Sequence, residues 1–164
     1  MTVLLNELAP IKKAIIVDIA PMPYSHDHFE LLGAMKSVPI QTAKSRNEVD
    51  QLLSARIEDT ALRTFLIQNA VRDENGYRWR INIESIQQNM NKLLGFDVQR
   101  RKSTVPTLFL GGAKSDYLLP EYHSNIRSAF PGAGIEMIAN AGHWLHAERP
   151  SELLRCVTRF LDSE

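Results

Sequence analysis

The chain has 164 residues, 44% hydrophobic and 23% charged, which suits one globular domain. Its 19 basic and 19 acidic residues cancel, which excludes the positive footprint of a nucleic-acid or anionic-membrane binder. No apolar run approaches the roughly 20 residues that span a bilayer, and the single cysteine, Cys156, excludes an internal disulfide and points to a reducing compartment.

Met1 is followed neither by a basic region with an apolar core nor by an Arg- and Ser-rich stretch, so no targeting segment is expected. "TVLLNELAP" reads as the end of a helix already in progress, with Leu4, Leu5 and Leu8 on one face and Pro10 as the stop. "KKAIIVDIAP" (12–21) follows as a short β-branched run. Ile15, Ile16 and Val17 do not alternate with polar residues, which predicts a strand buried on both faces. Residues 24–104 differ in character. Helical patterns fall at about 27–38, 45–56, 58–71 and 84–94, and "RDENGYRWRI" (72–81) reads as a turn and a short extended piece. "PTLFLGG" (106–112) and "IEMIANAG" (135–142) are two further buried strands. Helical patterns at 121–130 and 150–161 separate and follow them, the second with Leu153, Leu154, Cys156, Val157 and Leu161 toward the core.

Strands alternating with helices imply an α/β fold with a parallel sheet. Its carboxyl edge is where open α/β sheets gather ligands. The organisation read from this pattern is three segments: 1–23, a helix end and a core strand; 24–104, a helical cap or lid; and 105–164, the closing core with two catalytic loops.

Three residues at that edge could carry chemistry. His143, in "AGHWLHAERP", follows a strand end. Asp116, in "GGAKSDYLLP", follows the preceding strand and could reach it. Asp18, in "VDIAP", sits in an apolar strand where a carboxylate is costly unless paired. A carboxylate that fixes an imidazole, and an imidazole that takes a proton from a weak nucleophile, is the logic of nucleophilic acyl transfer. In α/β hydrolases the order along the chain is nucleophile, acid, histidine, with the serine in G-x-S-x-G. No serine of this chain has a glycine two residues before or after it. Cys156 faces inward on the last helix and is no substitute. His143, His146 and Glu148 resemble a ligand cluster only superficially, because His146 is three residues on from His143 and a zinc site needs a third close ligand, so a zinc site is not expected, and nothing implies a cofactor. Trp79 and Trp144 read as packing residues, and His26 and His28 open the lid segment. Arg100, Arg101 and Lys102 read as a solvated loop.

"IIVDIAP", "GYRWRINIESI", "PTLFLGGAKSDYLLPEY" and "NAGHWLHAERPSELLRCVTRFL" together resemble the α/β-hydrolase esterase family that includes YbfF and abhydrolase-domain-containing protein 11. The resemblance covers nearly the whole chain and corresponds to the carboxyl-terminal two-thirds of that family. It implies about three parallel strands with flanking helices, a helical cap, and hydrolysis of a small ester or acyl substrate through a Ser-His-Asp triad. His143 then maps to the base. The acid maps to Asp18, favoured slightly, to Asp116, or to Glu84 in the "W-R-I-N" segment. The family carries its serine elbow and oxyanion-hole loop before the "VDIAP" strand. This chain reads as a hydrolase part without either, and as inactive in isolation. Two alternatives stand beside that reading: a non-catalytic binding or scaffold module, and a gene-model fragment. An open apolar edge on the first strand would favour self-association. The resemblance implies a mitochondrial location for a eukaryotic source and a cytoplasmic one otherwise.

Overall fold

The computed structural model describes residues 1–25, 28–96 and 101–163, so His26 and Arg100 lie outside the described residues. In chain order the elements are α1 (Thr2–Leu5), β1 (Ala14–Val17), α2 (Phe29–Ser37), α3 (Arg46–Ser54), α4 (Thr60–Ile67), β2 (Ala70–Asp73) and β3 (Gly76–Trp79). They continue with α5 (Ile83–Gln88), α6 (Met90–Leu94), β4 (Thr107–Gly112), α7 (His123–Ala129), β5 (Gly134–Ile138), α8 (Leu145–Glu148) and α9 (Pro150–Asp162). The chain divides into two compact units, Met1–Pro23 with Phe96–Glu164, and Tyr24–Gly95.

The first unit is built on a parallel sheet of order β1-β4-β5. Pro106 opens the central strand, and all six residues of Thr107–Gly112 are buried, as a strand with neighbours on both sides requires. β1 pairs with β4 in the register Ile16↔Phe109, and β5 pairs on the other side with Ile135↔Phe109. Phe109 packs edge-on against Phe130 with ring centroids 5.4 Å apart. Leu108, Leu110 and Cys156 form a core cluster that Ile15, Leu153, Val157 and Phe160 complete. Lys13 donates to the carbonyls of Phe160 and Leu161, each at 3.0 Å, placing a cation on the carbonyl end of α9.

Three expectations are corrected here. β1 is an edge strand of the described sheet, in line with the open edge expected of it, but the burial on both faces expected for Ile15–Val17 does not hold. Ile15 and Ile16 are half-buried and Val17 and Ile19 exposed, because β4 covers it from one side only. α1 ends at Leu5, before Leu8; Glu7 at φ 52° breaks the helical turn and leaves Leu8 exposed. On α9, Leu154 and Leu161 point away from the core and Phe160 packs inward instead.

The second unit has its own core, with Met35, Val49, Leu53 and Ala70 at its most buried positions. Side-chain caps start three of its helices. Ser45 accepts from Glu48 N–H, Asp59 from Ala61 and Leu62 N–H, and Asn82 from Ser85 N–H. The "RDENGYRWRI" stretch contributes more strand than expected. β2 and β3 pair antiparallel across a turn that Gly76 closes at φ 114°. Trp79 packs on the core and donates its indole N–H to Met35 O at 2.9 Å. Arg63 is buried, paired with Asp50 at 2.8 Å, and donates to the carbonyls of Ile57 and Glu58. Among the described residues no helix is long and apolar enough to cross a membrane.

Candidate active site

β1 is followed by a residue that the backbone places unusually. Asp18 has φ 50°, a left-handed conformation that Asp tolerates better than a β-branched residue would. Its own N–H still donates to Leu110 O at 2.7 Å, so the strand pairing carries through the bend. The bend turns the side chain into the sheet, where it is 1% exposed.

A buried carboxylate is stable only when its oxygens are satisfied. Here each oxygen has a donor. Oδ1 accepts from Gly112 N–H at 2.9 Å, and Oδ2 accepts from Ser115 Oγ at 2.5 Å. Oδ2 also meets His143 Nδ1 at 2.7 Å. Gly112 must be glycine for this contact. A Cβ there would lie 2.1 Å from Gly142 O and 2.6 Å from Ala141 O, so a side chain would push away the loop that carries His143.

His143 comes from the loop between β5 and α8. Asn140, at φ 59°, turns the chain back, and Lys114 N–H donates to Ala141 O at 2.8 Å. Leu145, fully buried with Ile138 and Ala141, pins the far side. The His143 ring stacks on Tyr117, with centroids 4.3 Å apart and planes 30° from parallel. The side chain is half exposed. An imidazole whose Nδ1–H is given to a carboxylate keeps its Nε2 lone pair as the atom that can accept a proton.

Of the predicted residues, then, the structure brings His143 and Asp18 together. Asp116 is exposed, and no hydrogen bond or ion pair among the described residues joins it to His143. Its neighbour Ser115 takes the buried position instead. Glu84 lies in the second unit, paired with Lys36 at 2.9 Å; the hydrogen bond and charge of that ammonium hold its carboxyl below the usual range. His28 and His146 are exposed. Among the described residues no group of three or more His, Cys, Asp or Glu side chains could hold a metal ion. Burial, then the adjacent Glu136, pushes the Cys156 thiol up. Ser115 and Tyr117 were not singled out from the sequence. The signal was present in "GGAKSDY", where a serine follows a double glycine on the strand next to Asp18.

No protein-family model matches the chain. It is similar to the mouse protein named sn-1-specific diacylglycerol lipase ABHD11, 36% identical over 158 residues, 92% of this chain and 51% of that protein. It is similar also to esterase YbfF of Escherichia coli, 29% identical over 153 residues, 93% of this chain and 58% of that one. Among solved structures, a marine microorganism esterase matches with a TM-score of 0.87 and 36% identity, covering 95% of this chain and 63% of that one. E-2-(acetamidomethylene)succinate hydrolase shares the fold at a TM-score of 0.66 and 15% identity. The chain spans about half the length of the curated relatives it matches.

Proposed function

Starting from a chain that belongs to the α/β-hydrolase superfamily and is similar to esterases and lipases within it, we propose that His143 is the general base of an acyl-ester hydrolysis and Asp18 the carboxylate that orients it. The observation that carries this reading is the 2.7 Å contact between His143 Nδ1 and a buried, fully partnered carboxylate. Asp18 holds the ring in one tautomer and stabilises the imidazolium formed when Nε2 takes a proton. Gly112 N–H and Ser115 Oγ keep that carboxylate in place.

The nucleophile in this reading is a serine carried on a segment outside these 164 residues, since no serine here sits in G-x-S-x-G. That serine attacks the ester carbonyl as His143 accepts its proton. The imidazolium returns the proton to the departing alcohol. Water, activated by the same histidine, then releases the acid from the acyl-enzyme. The segment 24–104 is, in the same proposal, the cap that sets substrate size. The substrate class is a small acyl ester; diacylglycerol, which the names of the vertebrate relatives carry, is the first to try.

The missing elbow motif favours a second reading, a hydrolase-like module that binds an acyl ligand without cleaving it. Hydrolysis by the native protein isolated from its own cells separates the two. Nitrophenyl esters of increasing acyl length and a diacylglycerol form the panel. Turnover that His143→Ala and Asp18→Asn abolish, and Asp116→Asn leaves within about twofold, supports the first reading. Absence of turnover across the panel, or full activity in Asp18→Asn, overturns it.

A further inference from the structure

His143 lies between two backbone amides that share one acceptor. Gly142 N–H donates to Glu148 Oε2 at 2.9 Å, and Trp144 N–H donates to Glu148 Oε1 at 3.3 Å. Each oxygen of one carboxylate thus takes one of the two N–H groups that flank the histidine. Glu148 is the last residue of α8, and its own N–H donates back to Trp144 O at 2.9 Å, so helix and loop close on each other in both directions. The glycine makes room, because a Cβ at Gly142 would lie 3.1 Å from Glu148 Oε1. Beyond this stretch the loop is anchored already, at Ala141 by Lys114 and at Leu145 by burial.

We propose that Glu148 is a positioning residue for His143. Its carboxylate fixes the backbone on both sides of the base, and the imidazole thereby keeps Nδ1 on Asp18. This rests on the reading of His143 as the base and extends it. The chemistry calls for a carboxylate at this place. Its two oxygens both accept, whereas a glutamine offers one oxygen and turns an NH2 group against the second N–H. A base that drifts by about an ångström loses the alignment that proton transfer needs. A carboxylate that merely capped α8 would leave the ring indifferent to its loss, and that difference is measurable.

The test uses the native protein that contains these 164 residues, labelled with 15N, in the wild type and in Glu148→Gln, Glu148→Asp and Asp18→Asn. Amide hydrogen exchange reads the clamp directly. In Glu148→Gln the amides of Gly142 and Trp144 should exchange about five- to tenfold faster, while those of Phe109 and Leu110 in β4 keep their rates. The imidazole nitrogen shifts read the positioning. The wild type should show one tautomer with the proton on Nδ1, Glu148→Gln a mixture of tautomers, and Glu148→Asp a partial return. Faster loop amides with an unchanged imidazole signature would make Glu148 a helix cap only and overturn the proposal, as would unchanged amide rates. Loss of the signature in Asp18→Asn but not in Glu148→Gln overturns Glu148 alone. A wild-type ring without a single Nδ1–H tautomer overturns the Asp18–His143 reading, and this inference with it.

Discussion

Among the described residues, each unit of the molecule buries one charged side chain and pairs it. In the sheet unit it is Asp18, 1% exposed; in the helical unit it is Arg63, 9% exposed. Burial and pairing alone do not tell them apart. Their surroundings do. Arg63 spends its donors inward, on Asp50, Thr60 and the carbonyls of Ile57 and Glu58, which closes the turn between α3 and α4. Asp18 sits at a strand end in a left-handed conformation and spends an oxygen on a half-exposed imidazole with a ring nitrogen to spare. A structural ion pair completes itself. The pair around Asp18 ends in an imidazole with a ring nitrogen left over, and the proposed function gives that nitrogen its task.

The sharpest way to test that contrast is to delete the reactive end. In the ester hydrolysis proposed for the native protein, His143→Ala should remove about a million-fold in kcat, and Asp18→Asn about ten-thousandfold, with circular dichroism unchanged. The helical unit should answer in stability instead. Arg63→Met strands Asp50 and two carbonyls, and calorimetry should show a loss of about 3 kcal/mol, a fall of roughly 6–12 °C in Tm, with kcat at low temperature intact. A drop in kcat without a drop in Tm would collapse the contrast. Ser115→Ala removes one donor from a buried carboxylate and should lower kcat about tenfold at constant KM. Cys156 adds a pH dependence. Its thiol ionises less readily folded than unfolded, so its small contribution to stability is present below the ordinary thiol range and fades as pH rises from there through the raised range of the folded thiol. Iodoacetamide at mildly alkaline pH should accordingly label the folded chain about tenfold more slowly than the urea-unfolded one. Smallest of all, Leu154→Ser should change stability by less than about 0.5 kcal/mol, because that side chain is 65% exposed.

The parallel strands and the last helix were legible because β-branched runs and helical spacing are local signals. What failed were details that depend on neighbours. Ile15–Val17 reads as doubly buried, yet exposure depends on which strands flank it, and β4 flanks one side only. Leu154 sits one residue from Leu153 and reads as core, but the α9 face is set by Cys156, Val157 and Phe160. At the site, His143 stood out through its loop, and Asp18 through the cost of a carboxylate in an apolar strand. Periodicity could not rank Asp18 above Asp116. That order comes from a backbone angle at Asp18 and from Ser115 occupying the inward position of its loop. Glu148 enters the sequence reading only as a rejected metal ligand beside His143 and His146, because its partners are backbone amides, which no residue pattern displays.

The most direct test is to label cell extract with a fluorophosphonate serine-hydrolase probe, capture this protein with an antibody to its α9 segment, and read the labelled band. The account predicts a labelled serine on a polypeptide larger than 18.6 kDa, or on a tightly bound partner chain, with labelling lost in His143→Ala. An unlabelled protein at 18.6 kDa that co-purifies with no labelled chain would contradict it, since His143 would then have no nucleophile to serve.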